Sequence, residues 1–246
     1  MEVRSPDNNG GSTAEAQTTA WAQMFDRLAK QAAQRYRSCG ITAWQFARGK
    51  LSGDPVYRAV WDGPWLRRGG TVIDLGCGQG LMLALIAEAR TAESGEEWLR
   101  VDRLVGIELR EKVARIARRA LGDAAEISAA DARKEALPSA RTILVFDVLH
   151  MMPAADQEAL LGGLVAALEP GGTLLLREAD AGAGWRFQTV NFANRVKALA
   201  FGYSSKGFCF RTAAEWRTLL ETFGLSVEQG TPYGNVLLAG TKVGGV

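Results

Sequence analysis

Residues Thr71 to Gly80 constrain this chain more than any other stretch. A short apolar run, Thr71-Val72-Ile73, leads to an acid, Asp74, and then to glycines at alternate positions, Gly76, Gly78 and Gly80. Leu81-Met82-Leu83-Ala84-Leu85-Ile86-Ala87 comes at once after them and reads as the start of a buried helix. The local plan is strand, glycine-rich turn, helix N-terminus. Glycine has no Cβ and accepts positive φ, so the chain can turn sharply and let a ligand approach its backbone. The N–H groups that open a helix favour anionic or electron-rich atoms. A chain with this plan is expected to form an α/β sheet that binds a nucleotide or nucleoside at the turn.

Spacing separates the candidate ligands. The dinucleotide fingerprint G-x-G-x-x-G needs its third glycine at position 81, where this chain has Leu81, and an acid roughly 20 residues further on. The observed order is acid-Leu-Gly-x-Gly-x-Gly, with Asp74 ahead of the first glycine. It resembles motif I of the class I S-adenosylmethionine (SAM)-dependent methyltransferases. The resemblance implies that Gly76, Cys77, Gly78 and Gly80 pass the methionine part of the cofactor. It implies that Asp74 holds the amino group of that part or orders the loop.

The next segments come in the order in which that family would place them. Arg103 to Glu108 reads as a second strand ending in an acid, and a helix runs from Arg110 to Leu121 with Val113, Ile116, Ala117 and Ala120 as its apolar stripe. A carboxylate at that strand tip has two acceptor oxygens and suits the vicinal hydroxyls of a ribose. Glu108 resembles motif II, with Leu109 beside it. A short strand to Ala129 brings Asp131 and Ala132 into the next loop, where the family holds the adenine amino group. Ile143 to Phe146 is the best strand of the chain and reads as buried on both faces. Its carboxyl end carries Asp147, Val148 and His150, matching motif IV, whose residues face the transferred methyl. Pro153 opens a further helix, and Leu168-Glu169-Pro170-Gly171-Gly172 resembles the family's tight turn into strand five. Two more strands, Leu225–Glu228 and Asn235–Thr241, flank the end of the chain after a helix capped by Thr212, with Gly224 just past its end. The family's seventh strand is antiparallel. The expected fold is therefore α/β, a doubly wound seven-stranded, mostly parallel sheet of the Rossmann-like methyltransferase type.

The remaining segments carry no family motif. Residues 1–14 are polar and expected to form a disordered tail. From about Ala16 to Arg37, Trp21, Phe25, Leu28, Ala32 and Tyr36 recur at helical steps, and further helical pieces run on through Trp61. Residues 15–68 thus form a helical N-terminal layer, and 69–246 the SAM-binding domain. Within it, residues 181–211 form an insertion after strand five. The insertion interleaves Trp185, Phe187, Phe192, Phe201, Tyr203, Phe208 and Phe210 with cations and reads as a substrate lid or as a packed helix with solvated charges.

Composition narrows the function. With 29 basic and 27 acidic residues the formal charge is +2, so no surface for tracking phosphates is implied and nucleic acid is disfavoured. No apolar run approaches the ~20 residues of a membrane span. The three cysteines lack metal spacing and suit a reducing, cytoplasmic setting. His150 is the only histidine, so a multi-histidine metal site is excluded and no metal is expected. An unperturbed imidazole ionises near ~6.5, which suits proton removal at neutral pH. His150 is the candidate base; its other reading is a residue that contacts the cofactor or opens the next helix. The strand-four tip reads Asp147-Val148-Leu149-His150, not the Asn/Asp-Pro-Pro-aromatic motif of base amino-methylation, and no cysteine follows a proline. The resemblance implies methyl transfer from SAM, with S-adenosylhomocysteine (SAH) as product, to an oxygen, carbon or nitrogen of a small molecule, a hydroxylated aromatic or acidic metabolite among them. A non-catalytic SAM-binding regulator and an NAD(P)-dependent oxidoreductase are the alternatives.

Overall fold

The computed structural model describes residues 10–91, 101–183, 208–229 and 235–243. Helix α1 spans Gly10–Gln34 and runs into a 3-10 turn, Arg35–Cys39. Helix α2 (Ile41–Gly53) and α3 (Pro55–Asp62) come next. The first helix starts earlier than expected. The tail expected over 1–14 gives way to helix from Gly10, because Thr13-Ala14-Glu15-Ala16 continue into the stripe with good helix formers among them. Residues 1–9 lie outside the described residues. Phe25, Leu28, Ala32 and Tyr36 are all buried, as their spacing predicted. Asp54 caps α3, its side chain accepting from the Val56 amide, and Pro55 takes the first helical position, where no N–H is needed.

The sheet is built from β1 (Thr71–Leu75), β2 (Arg103–Glu108), β3 (Glu126–Ala129), β4 (Ala140–Phe146), β5 (Leu168–Ala179), β6 (Leu225–Gln229) and β7 (Asn235–Lys242). Their order is β3-β2-β1-β4-β5-β7-β6, and β7 alone runs against the direction of the other six. This is the expected seven-stranded, mostly parallel sheet. Helices α4 (Leu81–Thr91), α5 (Glu111–Leu121), α6 (Ala154–Ala167) and α7 (Ala213–Thr222) cover it. Side chains alternate between two cores. Val72, Leu144 and Leu175 join α4 and the N-terminal helices, while Ile73, Ile143, Val145 and Leu174 join α6 and α7. The chain thus reads as near-continuous apolar runs in β1 and β4 because both faces are covered.

Two local expectations change. Pro170-Gly171-Gly172 is not a separate turn. It lies inside β5 as an irregularity, with the register against β4 shifting between Ala140 and Thr142 and Gly171 at φ +70°. A bulge lets the strand begin at Leu168 and still align further on. On α5 the buried stripe is Ala114, Ala117, Ala120 and Leu121, with Val113 and Ile116 only half-buried. The small alanines allow α5 close against its neighbours. Most of the expected lid, 184–207, and the loop at Pro232-Tyr233-Gly234 lie outside the described residues.

Candidate active site

The strand order reverses between β1 and β4, so a crevice opens beyond their carboxyl ends. The glycine turn lies there. Its first glycine is required by proximity: a Cβ on Gly76 would lie 2.3 Å from Cγ2 of Val148. That contact joins the β1 turn to the β4 tip. Gly78 differs, because a Cβ there meets nothing within 4 Å, while its φ of +58° still favours glycine. The space over its Cα is open.

The turn is held by its own hydrogen bonds. Gly76 and Cys77 amides donate to the Ile107 carbonyl at 2.7 and 3.1 Å. The Gly78 amide donates to Oε2 of Glu108 at 3.0 Å, and the Gly80 amide to the Cys77 carbonyl at 2.8 Å. Three of the expected ligand-facing amides, those of Gly76, Cys77 and Gly78, are therefore spent on β2, and the loop arrives preorganised. Glu108 is buried and also accepts from the Arg110 backbone at 3.0 Å and from Arg110 Nε at 2.7 Å. The structure thus brings the glycine loop and the second-strand acid into direct contact. Leu109 projects beside them, 62% exposed, an apolar surface at the strand tip.

Asp74 is buried on β1. Burial, and then the nearby Glu108 charge, push its carboxyl up to about 7. Burial and the same two carboxylates push the Cys77 thiol up, so Cys77 is a packed thiol and no nucleophile. Asp131 stands half-buried after β3. Arg133 donates to it from Nε at 2.9 Å and Nη2 at 2.7 Å, and reaches Asp156 of α6 at 2.8 Å. That pairing holds the Asp131 carboxyl down at about 2. Ala132 lies between the two.

The β4 tip is unusual. Asp147 has φ +58°, the only non-glycine residue in that region among the described residues. Such strain persists where surrounding contacts over-determine it, and it gathers at functional sites. Here the Asp147 amide donates to the Arg177 carbonyl at 2.9 Å, and the Arg177 guanidinium grips the Asp147 carboxylate. Arg177 also donates to Asp54 at 2.6 Å, tying the N-terminal layer to the tip. Burial alone would raise Asp54, but Arg177 and then Lys50 outweigh it and hold it at about 2.

His150 sits in a 3-10 turn, Leu149–Met151, and is buried. Its Nδ1 lies 2.6 Å from Oε2 of Glu178, which is fully buried at the end of β5. The other oxygen of Glu178 accepts the Val148 and Leu149 amides at 3.0 and 2.6 Å. A carboxylate that accepts an imidazole Nδ1–H fixes the tautomer and leaves the lone pair on Nε2. Phe210 stacks on the imidazole at 5.1 Å and Phe208 meets it edge-on at 5.8 Å. Gln157, fully buried on α6, secures this segment by donating to the Leu149 carbonyl at 3.0 Å and the Cys209 carbonyl at 2.8 Å. The end of the expected lid therefore forms a wall of the His150 site.

The donor set fits SAM. Open space over Gly78, the buried acid Glu108 against it, an apolar tip at Leu109 and the further acids Asp74 and Asp131 suit a nucleoside that carries two cationic centres. Gln79 Oε1 adds a buried acceptor with no hydrogen-bond partner among the described residues. No group of residues able to hold a metal occurs among the described residues.

A family profile described as "Methyltransferase domain" matches residues 44–229. The chain belongs to the SAM-dependent methyltransferase family. SAM is its cofactor, and the dinucleotide alternative falls with it. No curated protein matches this methyltransferase in sequence. Solved structures share its fold. An O-methyltransferase family protein from Burkholderia thailandensis superposes with a TM-score of 0.64 at 19% identity, covering 85% of this chain and 63% of that one. YcgJ of Bacillus subtilis gives 0.57 at 14%, covering 77% and 97%. Human N-acetylserotonin methyltransferase, solved with SAM, gives 0.56 at 17%, covering 86% and 56%. The methyltransferase thus spans less than two thirds of the first and third of these.

Sequence reasoning missed Glu178, Arg177, Asp54 and Gln157. Glu178 carried a signal: an acid close after the apolar run Leu174-Leu175-Leu176, on the strand beside the one that ends near the only histidine. Asp54 and Arg177 carried none, being 123 residues apart in the chain.

Proposed function

We propose that this methyltransferase methylates a hydroxyl of a small aromatic acceptor, with His150 as general base. The observation that carries the reading is the His150–Glu178 pair at the β4 tip, walled by Phe208 and Phe210. When bound, SAM supplies a methyl already made electrophilic by its sulfonium. What this chain must add is alignment and proton removal. In the proposed complex Gly78 and Glu108 hold the ribose side, Asp131 and Ala132 the adenine, and Asp74 the ammonium, with Asp147 and Val148 closing the methyl end.

The base works through three contacts. Glu178 keeps Nδ1 protonated, so Nε2 takes the proton of the acceptor hydroxyl as the oxygen gains the methyl. The resulting imidazolium rests against the Glu178 carboxylate. General-base catalysis of this kind contributes on the order of 10² to 10⁴ in rate. Phe208 and Phe210 favour a flat apolar acceptor, since stacked and edge-on rings attract beyond their buried area. The Burkholderia neighbour is described as an O-methyltransferase family protein, which agrees in acceptor atom.

A panel of phenols, amines and carbon acids incubated with SAM tests this. Methyl ethers from phenols, lost in His150→Ala while SAH binding persists, are expected. Products only from amines or carbon acids, or turnover indifferent to His150→Ala, would overturn it.

A further inference from the structure

We infer that Tyr36 of the N-terminal helical layer is a positioning residue for the cofactor loop, so that this layer sets cofactor affinity. The inference rests on the reading that the glycine turn holds SAM.

The peptide between Gln79 and Gly80 is anchored at both ends. Its N–H donates to the Cys77 carbonyl at 2.8 Å, and its carbonyl accepts the Tyr36 hydroxyl at 2.7 Å. The peptide two before it, Cys77–Gly78, is anchored likewise, with its N–H on Glu108 and its carbonyl on Gly80. Gly76, Gly78 and Gly80 all have positive φ, so the turn could otherwise flip its peptides at little cost. A flip at Gln79–Gly80 would break the Cys77–Gly80 bond and, through it, free the peptide that presents Gly78. Tyr36 blocks that flip from outside the turn.

Tyr36 is itself immobile. It is fully buried in the 3-10 turn after α1, and burial raises its hydroxyl well above the usual tyrosine range, so it stays a donor. Its neighbour Arg35 pairs with Glu88 on α4, 2.5 Å away. The two residues therefore grip α4 separately: one at the loop that opens it, the other near its end. Gln79 also carries the buried acceptor Oε1.

The test compares full-length wild type, Tyr36→Phe and Arg35→Ala by calorimetric titration with SAH, at a temperature where all are folded. Tyr36→Phe keeps the ring and removes one hydroxyl. It is expected to weaken SAH binding roughly three- to tenfold, the loss of one ordinary hydrogen bond. Arg35→Ala is expected to lower the melting point and leave Kd unchanged. In turnover, Tyr36→Phe raises KM for SAM and leaves kcat unchanged. Equal binding by wild type and Tyr36→Phe, or equal weakening by both variants, would overturn the inference. No uptake by wild type would remove the cofactor reading and this inference together. Should Tyr36→Phe not fold, hydrogen exchange on wild type decides. SAH must slow exchange at residues 32–36 as well as 76–80, and protection confined to the loop would refute the coupling.

Discussion

Oε2 of Glu178 and Nδ1 of His150 sit 2.6 Å apart, while the other Glu178 oxygen holds the Val148 and Leu149 amides. One carboxyl group at the end of β5 thereby contacts both the only histidine and the turn that presents it. His150 gives a single imidazole signal in this chain, so nitrogen-detected NMR reads it directly. The Nδ1–H tautomer is expected, with a strongly downfield Nδ1 proton. Glu178→Gln is expected to shift that proton upfield and to lower turnover on the order of tenfold to a hundredfold. A dominant Nε2–H tautomer in the wild type would contradict the assignment.

Asp74 makes stability depend on pH with a defined sign. Its carboxyl ionises near ~3.9 in the unfolded chain and at about 7 when folded. Between those values the folded state binds the extra proton, so stability falls as pH rises from 4 to 7 and is lowest above 7. Asp74→Asn should flatten that slope in denaturant titrations. Asp54, held at about 2, acts oppositely, and its contribution is lost as pH falls below 4. Binding a cationic ligand beside Asp74 should expel its proton. SAM affinity is then expected to weaken below pH 7, with proton release measurable by calorimetry in two buffers. A pH-independent Kd in wild type would argue against Asp74 facing the ammonium.

Gly76 and Gly78 should respond differently to alanine. At Gly76 the new Cβ meets Val148 at 2.3 Å, so Gly76→Ala should cost the left-handed strain of ~1–2 kcal/mol and an added clash. At Gly78 the space is open, and only the strain applies. Chemical denaturation should rank Gly76→Ala as the less stable. Gly78→Ala should fold and yet bind SAH poorly, because its methyl enters the space left for the ligand.

Arg177 holds two carboxylates from distant parts of the chain. Arg177→Met leaves Asp147 without its cation and Asp54 with Lys50 alone; because Asp147 is 40% exposed and Asp54 keeps a partner, the cost is about 1–3 kcal/mol, below that of breaking a fully buried pair. Melting curves should show a drop. Adding Asp54→Asn and Asp147→Asn should restore part of it, since the uncompensated charges then vanish. No recovery in the triple variant would mean the network acts by shape and not by charge.

The sheet was legible because its strands are apolar runs ended by acids, and the order of Asp74, Glu108, Asp131 and Asp147 survives in one dimension. The Thr212 cap was legible too: Thr212 and Glu215 form a capping box, a pattern four residues long. Pro170-Gly171-Gly172 misled because a bulge and a turn use the same residues, and only the partner strand separates them. Tyr36 read as one more core aromatic, which it is. Its hydroxyl matters through a residue 43 positions away, and helical spacing carries no trace of that contact. The Asp54–Arg177–Asp147 network was hidden for the same reason.

The most direct measurement is calorimetric titration of folded protein with SAH, paired with Glu108→Ala. Wild type is expected to take up one equivalent saturably, and Glu108→Ala to lose that uptake while keeping its secondary structure by circular dichroism. A folded wild type that binds no SAH, or a Glu108→Ala variant that binds as tightly, would contradict the account.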